Sequence, residues 1–252
     1  MKISQLKIIN KESFYNFVKK YWVKKVNLLF LKKVFEWQYI SNKKYNFVIA
    51  SDKKEIIGVQ GFIPMSHYDN KLSHRDIFQA FLRVKEGKYI GTAVLLHKKI
   101  VTLYKANFVG VIGIDEITHS FHKWLGFKIY KMEHHFMLSK KHKNFKIALV
   151  KKNLTKKKFK NNLNVTYEEL NLKNIKYKIN NKLFDKVYPQ KSRNYLINRY
   201  LKNPFYKYHL FQVKKFNKAI FIIVIRPIML KNRNIIRLVD YIGTEKNFKF
   251  TK

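Results

Sequence analysis

The sequence predicts an α/β protein in which helices flank a central sheet, followed by a second, partial half of the same kind. Apolar residues make up 46% of the 252-residue chain and aromatic residues 16%, which is enough for packed cores. Helical and extended hydrophobic patterns alternate along the first half. In addition, the tetrapeptide YISN at 39–42 recurs as YLKN at 200–203, which indicates an imperfect internal repeat.

The first 139 residues are predicted to form one domain. Residues 3–39 have a helical pattern, with an apolar stripe at Leu28, Leu31, Phe35 and Tyr39. Two strands joined by the polar turn SDKKE follow, and Pro64 ends the second of them. The predicted elements after residue 39 are strands 46–50, 56–63 and 77–84, helix 91–106, strand 108–114, helix 118–124 and strand 128–138.

The repeat predicts how the rest of the chain is organised. Residues 140–165 are expected to be a basic linker, and residues 166–252 a partial second half. In this alignment Pro227 corresponds to Pro64, and strand 237–243 corresponds to strand 77–84. The second half would stop before any counterpart of the glycine-containing loop at 86–91. Its sheet would then have a bare edge, so we expect it to dock on the first domain or on another subunit, which makes an oligomer one outcome.

Charge is the most extreme bulk property, with 54 Lys and Arg against 15 Asp and Glu and a formal net charge of +39. Such a surface attracts nucleic acid and other polyanions at low salt. However, the lysines are spread over the whole length, and the excess of Lys, Asn, Ile, Phe and Tyr together is typical of AT-rich codons. A nucleic-acid partner is therefore not favoured, although a polyanionic substrate would benefit from this field.

Several classes of protein are disfavoured. The chain has no cysteine, which excludes disulfides and thiolate metal sites and fits a reducing compartment. It has no apolar run of about 18 residues, so we expect no transmembrane segment. Its first 17 residues lack the uninterrupted apolar stretch of a signal peptide. We therefore expect a cytoplasmic protein.

Five segments carry a resemblance to a known family: FEWQYISN, IIGVQGFIP, KEGKYIGTAVLL, IGID followed by WLGF, and KSRNYLINRYLKNPFYKY. In this order they resemble the GNAT superfamily of N-acetyltransferases, most closely a bacterial subgroup with tandem GNAT-like halves that is linked to surface-polysaccharide synthesis. The resemblance implies a mixed, mostly antiparallel sheet flanked by helices. It also implies acetyl-CoA as co-substrate, no metal, and an amine acceptor on an amino-sugar or a nucleotide-linked sugar.

The family's CoA signature is Gln or Arg, two residues, Gly, one residue, then Gly or Ala. The matching positions are Glu86, Tyr89 and Gly91, and only Gly91 fits. A carboxylate at 86 would repel a diphosphate if it pointed inward, and Tyr89 replaces a glycine that allows close backbone approach. A plain loop before a helix is the alternative interpretation. The resemblance implies CoA contacts at Leu82, Arg83, Val84, Gly87, Ile90, Gly91, Thr92 and Ala93.

Acetyl transfer needs a base that takes the ammonium proton and an acid that protonates the CoA thiolate. The family's usual acid is a tyrosine five residues before the phenylalanine of the LGF turn, and here that position is His122. A histidine donates a proton near neutral pH, and an exposed helical histidine is the alternative. The resemblance favours His134 as base with Glu133 beside it, and Asp115 at the end of a strand is another candidate.

The resemblance also places the acceptor pocket at Trp37, Gln38 and Gln60, with a core position as the alternative for Trp37. Neighbouring strand residues such as His134 and His135 point in opposite directions, so this pair does not indicate a metal site. Two other functions stay open. One is a catalytically inactive GNAT-like binding protein, and the other is a relative of the peptidyl transferases that use aminoacyl-tRNA.

Overall fold

The computed structural model describes residues 1–7, 10–21, 28–41, 44–87, 89, 91–131, 164–230 and 233–244. The strands are Lys2–Gln5 (β1), Ile40–Ser41 (β2), Lys44–Tyr45 (β3), Phe47–Asp52 (β4), Glu55–Pro64 (β5), Asp76–Val84 (β6), Phe108–Val111 (β7), Val165–Leu170 (β8), His209–Lys215 (β9), Lys218–Leu230 (β10) and Arg233–Gly243 (β11). The α-helices are Lys11–Tyr21 (α1), Leu28–Tyr39 (α2), Thr92–Tyr104 (α3), Glu116–Trp124 (α4), Ile175–Lys178 (α5) and Arg193–Leu196 (α6), and a π-helical segment, Ile197–Leu201, follows α6.

The first half contains a five-stranded sheet in the order β1-β4-β5-β6-β7. Its neighbouring strands are antiparallel except for β6 and β7, which are parallel. Helices cover both faces of this sheet. The predicted fold class, a mixed and mostly antiparallel sheet flanked by helices, is therefore confirmed.

Side-chain alternation along β4 separates the two helical layers. Phe47 and Ile49 pack in a core with α1 and α2, whereas Val48 and Ala50 pack in another core with α3. Successive strand residues point to opposite faces, so α3 lies on the face opposite to α1 and α2. This layering decides which side chains can meet in a common site.

The second half has a four-stranded antiparallel sheet in the order β11-β10-β9-β8. It repeats the arrangement of the first half, in which β1 pairs with the first strand of the meander β4-β5-β6. Both meanders begin with a two-residue turn in the left-handed region, at Lys53 and Lys54 and again at Phe216 and Asn217. The predicted internal repeat is thus visible in strand order and in turn geometry.

The two halves share one hydrophobic core. Met65 and Tyr68 of the first half are buried in the same cluster as Tyr195 and Leu210 of the second. Polar contacts reinforce it, since the Ser192 hydroxyl donates to the Asp69 carboxylate at 2.5 Å. The described residues up to Ile112 and from Asn164 onward form one compact unit, and residues 113–131 belong to another.

Three predicted elements differ in the structure. The predicted helical region 3–39 begins instead with the strand β1 at Lys2–Gln5, because Ile3 pairs opposite Ala50 at the edge of the sheet. The strand predicted at 108–114 ends at Val111, shortly before Gly113 with φ of 76°. Residues 128–131 form no strand within the described structure, and the rest of that predicted strand, like linker residues 140–163, lies outside the described residues.

Pro64 is the last residue of its strand, as predicted. The prediction for residues 77–84 is also confirmed, with a strand that begins one residue earlier. Within the described ranges, none of the helices has the length and apolar character needed to cross a bilayer.

Candidate functional site

Strand β6 runs further than its parallel neighbour β7. The ladder between them begins at Asp76 and Phe108 and stops at Gln79 and Val111. Strand β6 continues to Val84, still paired on its other side with β5. Among the described residues, no strand pairs with 80–84 on the β7 side. This stretch of backbone therefore presents an open strand edge, able to pair with an extended ligand that carries amide groups.

A β-bulge lies at the start of this open stretch. The register between β5 and β6 shifts between Val59 and Gly61, and Phe81 on β6 has φ of 62°. A bulky residue in the left-handed region is rare and must be held by its surroundings. The ring of Phe81 packs edge-on against Phe35, with centroids 4.6 Å apart. The bulge bends the strand at the point where β6 and β7 part.

The loop after β6 leads directly into the N-terminus of α3. Gly87 and Gly91 both have positive φ, 99° and 81°, and a Cβ atom at either position would meet no atom within 4 Å. Gly91 is the N-cap residue of the helix and provides no side-chain cap. Free N–H groups at a helix N-terminus attract anions, so this end of α3 suits a phosphate group.

Charged side chains around the loop are paired with one another. Glu86 is 89% exposed and forms an ion pair with Arg83 at 3.3 Å. Lys85 pairs with Glu55 at 3.1 Å, which raises the pKa of the lysine. A cavity of about 380 Å³ beside the loop is lined by Asp52, Lys53, Glu55, Lys85, Glu86 and Tyr89. Because its side chain is so exposed, the Glu86 carboxylate points to solvent. The walls of the cavity carry both positive and negative side chains.

A buried polar chain reaches the point where β6 and β7 part. The amide of Gln60 donates to the Gln79 side-chain oxygen at 3.0 Å, and the Gln79 side chain lies 3.0 Å from Nδ1 of His97 on α3. All three residues are buried. Gln60 stands at one end of this polar chain, and its side-chain carbonyl oxygen, Oε1, has no hydrogen-bond partner among the described residues. Burying an unpaired amide oxygen is costly, so this chain marks a polar spot within the core.

The three predicted acceptor residues are not brought together. Gln60 contacts the α3 side of the sheet through Gln79. Trp37 belongs to α2 on the other side, where its ring packs against Tyr68 and against Phe205 of the second half, with centroids 5.7 and 6.2 Å away. Gln38 is half-buried beside Tyr39. Trp37 is therefore part of the packing between the two halves.

The candidate acid and one candidate base lie in the second compact unit. His122 on α4 is 4% exposed, so it is not the exposed helical histidine of the alternative interpretation. Its Nδ1 lies 2.6 Å from the Thr118 carbonyl oxygen, and a carbonyl only accepts, so Nδ1 carries the hydrogen. Asp115 is the N-cap of α4, and its carboxylate accepts from the Thr118 N–H at 2.8 Å.

The remaining predicted residues are placed as follows. Leu82 and Val84 are partly buried against the α3 core. Thr92 is fully buried at the start of α3, and Ala93 follows it half-buried. Glu133, His134 and Ile90 lie outside the described residues.

Sequence reasoning missed the polar chain formed by Gln60, Gln79 and His97. The Arg199 guanidinium lies over the rings of Tyr68, Tyr195 and Tyr200, each 5.4 to 5.5 Å away. His67 is a partly buried polar group nearby, and desolvation lowers its pKa. The available signal for the polar chain was Gln79, a polar residue inside the apolar stretch IFQAFL. Arg199 and Tyr200 belong to the segment KSRNYLINRYLKNPFYKY, which the sequence analysis singled out.

No protein-family model matches the chain, and no curated protein matches it significantly. Solved structures with similar folds include an aminoglycoside 6'-N-acetyltransferase from Acinetobacter haemolyticus, with 14% identity, a TM-score of 0.42, and coverage of 55% of this chain and 99% of that one. The enzyme AAC(6')-Iy in complex with a bisubstrate analogue has 18% identity and a TM-score of 0.41, over 55% of this chain and 97% of that one. A ribosomal-protein-alanine N-acetyltransferase from Brucella melitensis has 10% identity and a TM-score of 0.41, over 55% and 100%.

Proposed function

We propose that the chain is an N-acetyltransferase that moves an acetyl group from acetyl-CoA to an amine. The observation that carries this proposal is the open edge of β6 beyond Gln79, which leads through a glycine-containing loop to the N-terminus of α3. That end of α3 has no side-chain cap, although the Thr92 N–H donates to the Tyr89 carbonyl at 3.2 Å. A strand edge followed by a helix N-terminus suits a ligand in which an extended, amide-bearing chain is followed by a pyrophosphate. Acetyl-CoA contains both, with the thioester at the end of the amide-bearing arm.

The donor would bind mainly through the backbone. The pantetheine arm would pair with the free N–H and C=O groups around Leu82 and Val84, as an added strand does. The pyrophosphate would sit at the start of α3, near Gly91, where the open space at its Cβ position admits close approach. The chain's net charge of +39 would attract this polyanion over a distance.

The chemistry is direct transfer. The deprotonated acceptor amine attacks the thioester carbonyl carbon, the new C–N bond forms, the C–S bond breaks, and the CoA thiolate leaves and takes up a proton. A main-chain N–H near Val84 would stabilise the negative charge on the carbonyl oxygen. His122 is the proposed acid; because its Nδ1 hydrogen is donated to Thr118, the proton would come from Nε2. His134, assisted by Glu133, and Asp115 are the proposed bases.

For the acceptor we propose an amino-sugar or a nucleotide-linked amino-sugar used in surface-polysaccharide synthesis. This choice rests on the resemblance of FEWQYISN and KSRNYLINRYLKNPFYKY to the tandem subgroup. An assay with glucosamine, a nucleotide-linked amino-sugar and a peptide with a free N-terminus would test it. Acetylation of the peptide alone would contradict the proposed acceptor class while leaving acetyl transfer intact.

A catalytically inactive GNAT-like binding protein is the second candidate. It is favoured by the carboxylates of Asp52, Glu55 and Glu86 around the loop cavity, because they oppose binding of a diphosphate. It is also favoured by Tyr89 at the position where the family has glycine. The two candidates differ in turnover, since both allow saturable binding but only the enzyme consumes acetyl-CoA when an amine is present.

Calorimetric titration of acetyl-CoA into the protein at moderate salt tests the proposal, with desulfo-CoA and a simple polyanion as comparison ligands. We expect saturable one-to-one binding that the polyanion does not mimic. Glu86→Gln should tighten binding about two- to fivefold, because it removes one exposed negative charge near the diphosphate. Glu169→Gln, at another exposed carboxylate, which lies 2.8 Å from Nδ1 of His209, is the control and should leave affinity unchanged. Binding no stronger than that of the polyanion would overturn the enzymatic proposal.

A further inference from the structure

One face of the long β10–β11 hairpin is apolar and uncovered in the described structure. Pro227 lies opposite Ile236, and Ile225 opposite Leu238, so these four side chains share a face with Met229. Met229 is 80% exposed, Ile236 67% and Leu238 50%. We call these five residues the hairpin face: Ile225, Pro227, Met229, Ile236 and Leu238.

The first half shows what normally covers such a face. There Pro64 lies opposite Ile77, in the same register as Pro227 opposite Ile236. Ile77 is completely buried, in a core with Leu96 and Ile100 of α3. Among the described residues, no helix follows β11 to play the part of α3. The hairpin face is therefore the exposed counterpart of a surface that is core in the first half.

The hairpin also extends beyond the rest of its sheet. Strand β9 pairs with β10 only as far as Ile225, opposite His209. Beyond that point β10 and β11 pair only with each other among the described residues. A two-stranded ribbon with an exposed apolar face is marginally stable in water, so covering that face would be favourable.

Charge around the hairpin indicates what could cover it. Residues 218–243 contain five basic residues and one acidic residue, Asp240. Asp240 is already engaged, with Lys191 at 2.6 Å and with the Tyr200 hydroxyl at 2.7 Å. Arg237 is exposed on β11 and lies opposite Arg226, on the face of the ribbon that faces away from the hairpin face. An apolar projection within a basic surface matches the layered chemistry of an anionic lipid membrane, which has negative headgroups above a hydrocarbon interior.

We propose that the hairpin face is a membrane-docking surface, which inserts its apolar side chains into the interface of an anionic bilayer while the surrounding lysines and arginines contact the headgroups. A second copy of the chain would also cover apolar surface. However, two chains of net charge +39 repel each other, which disfavours that occupant. The proposal concerns where the protein acts and stands independently of the acetyl-transfer proposal.

Site-specific labelling tests this, because the chain contains no cysteine and a single introduced one is unique. A dye sensitive to polarity is attached at Met229→Cys and, as matched control, at Phe216→Cys. Phe216 is 67% exposed in the turn at the opposite end of β10. With vesicles of phosphatidylcholine and phosphatidylglycerol, the dye at 229 should shift to the blue and brighten, while the dye at 216 should not. Vesicles of phosphatidylcholine alone should give a much weaker response.

Cosedimentation with the same vesicles supplies the energetic test. At about 1 M salt the Debye length is about 3 Å, so purely electrostatic attraction is largely screened. The unmodified protein should keep a measurable bound fraction under these conditions, and the double variant Met229→Ser with Ile236→Ser should bind about tenfold more weakly. Phe216→Ser should bind like the unmodified protein.

Three results would overturn the proposal. The first is an equal dye response at 216 and 229, and the second is equal loss of binding at high salt for all variants, since either shows attraction by charge alone. The third is a dye response at 229 that needs no vesicles and rises with protein concentration, which would identify a second copy as the occupant.

Discussion

Arg199 of the second half places its guanidinium 5.4 Å from the ring of Tyr68 in the first half. The same guanidinium also lies over Tyr195 and Tyr200 and donates to the Tyr195 hydroxyl. Burial raises the pKa of Tyr68 to about 12, even though the arginine opposes this rise, so the ring stays neutral. A partly buried cation that lies over neutral aromatic faces is stabilised by cation–π attraction.

Replacing Arg199 by lysine should destabilise the protein by about 2 kcal/mol or more, because an ammonium cannot stack on three rings or bond to the same hydroxyl. Arg193→Lys is the matched control, since within the described part of the chain that guanidinium donates only to a backbone carbonyl, that of Lys176, near the surface. Its cost should stay within about 0.5 kcal/mol. Urea unfolding measures both. Equal losses would show that the three-ring contact contributes nothing specific.

The strands that depend on local patterns of apolar residues and proline could be predicted from the sequence. Pro64 is the last residue of its strand, where its missing N–H leaves no ladder bond unmade, and the mainly apolar stretch 77–84 forms a strand whose side chains pack on both faces of the sheet. Strand β1 could not be predicted in this way, since four residues with weak strand preference become a strand only by pairing with β4. Edge pairing of this kind depends on residues some 45 positions away, which no local window contains.

The packing partners of individual side chains were harder to predict than the positions of the strands. Two interpretations of Trp37 were open from the sequence, an acceptor-pocket position and a core position, and its packing against Phe205 fits the core position, because the second half folds back onto α2. Gln60 points to the opposite layer from Trp37, toward Gln79 and His97. Both outcomes follow from which face each helix covers and from how the halves dock, and neither fact is encoded in the spacing of residues along the chain.

His67 makes the stability of the protein depend on pH. Its Nε2 lies 3.3 Å from the Trp37 carbonyl oxygen and its Nδ1 3.5 Å from the Asn46 amide nitrogen, an arrangement that suits a neutral ring with hydrogen on Nε2. Burial, aided by Arg199, lowers the pKa of His67 below its usual 6.5, although the Trp37 contact acts in the other direction.

Between that lowered pKa and 6.5 the unfolded chain binds more protons at His67 than the folded protein does, so stability falls as pH decreases through this range. His67→Gln should therefore show a shallower loss of stability between about pH 7 and pH 5. Urea unfolding at several pH values measures the slope. His74→Gln, at an exposed histidine, is the control and should keep the slope of the unmodified protein. An unchanged slope in His67→Gln would contradict the prediction.

Ile77 and Ile236 are equivalent in register but differ in burial, 0% against 67% exposed. Ile77→Ala should cost about 2 to 5 kcal/mol, because it leaves a cavity against α3. Ile236→Ala should change the free energy of unfolding by no more than about 0.5 kcal/mol. Thermal unfolding without lipid measures both. A large loss for Ile236→Ala in dilute protein would mean that the hairpin face is already covered within the monomer.

The β4–β5 turn carries strain that can be removed. Lys53 and Lys54 have φ of 44° and 72°, and side chains larger than glycine or asparagine are disfavoured there. Asn-Gly is the preferred pair for such a two-residue hairpin turn. The double variant Lys53→Asn with Lys54→Gly should therefore raise the free energy of unfolding by about 0.5 to 1 kcal/mol, measured by urea unfolding.

A control for this gain is Lys98→Gly, which also removes an exposed lysine side chain but lies inside α3. Glycine within a helix costs about 1 kcal/mol, so this variant should lose stability. Opposite signs for the two variants would assign the gain to turn geometry. A gain in both would point instead to relief of charge repulsion in a chain of net charge +39, and raising the salt concentration would then erase it.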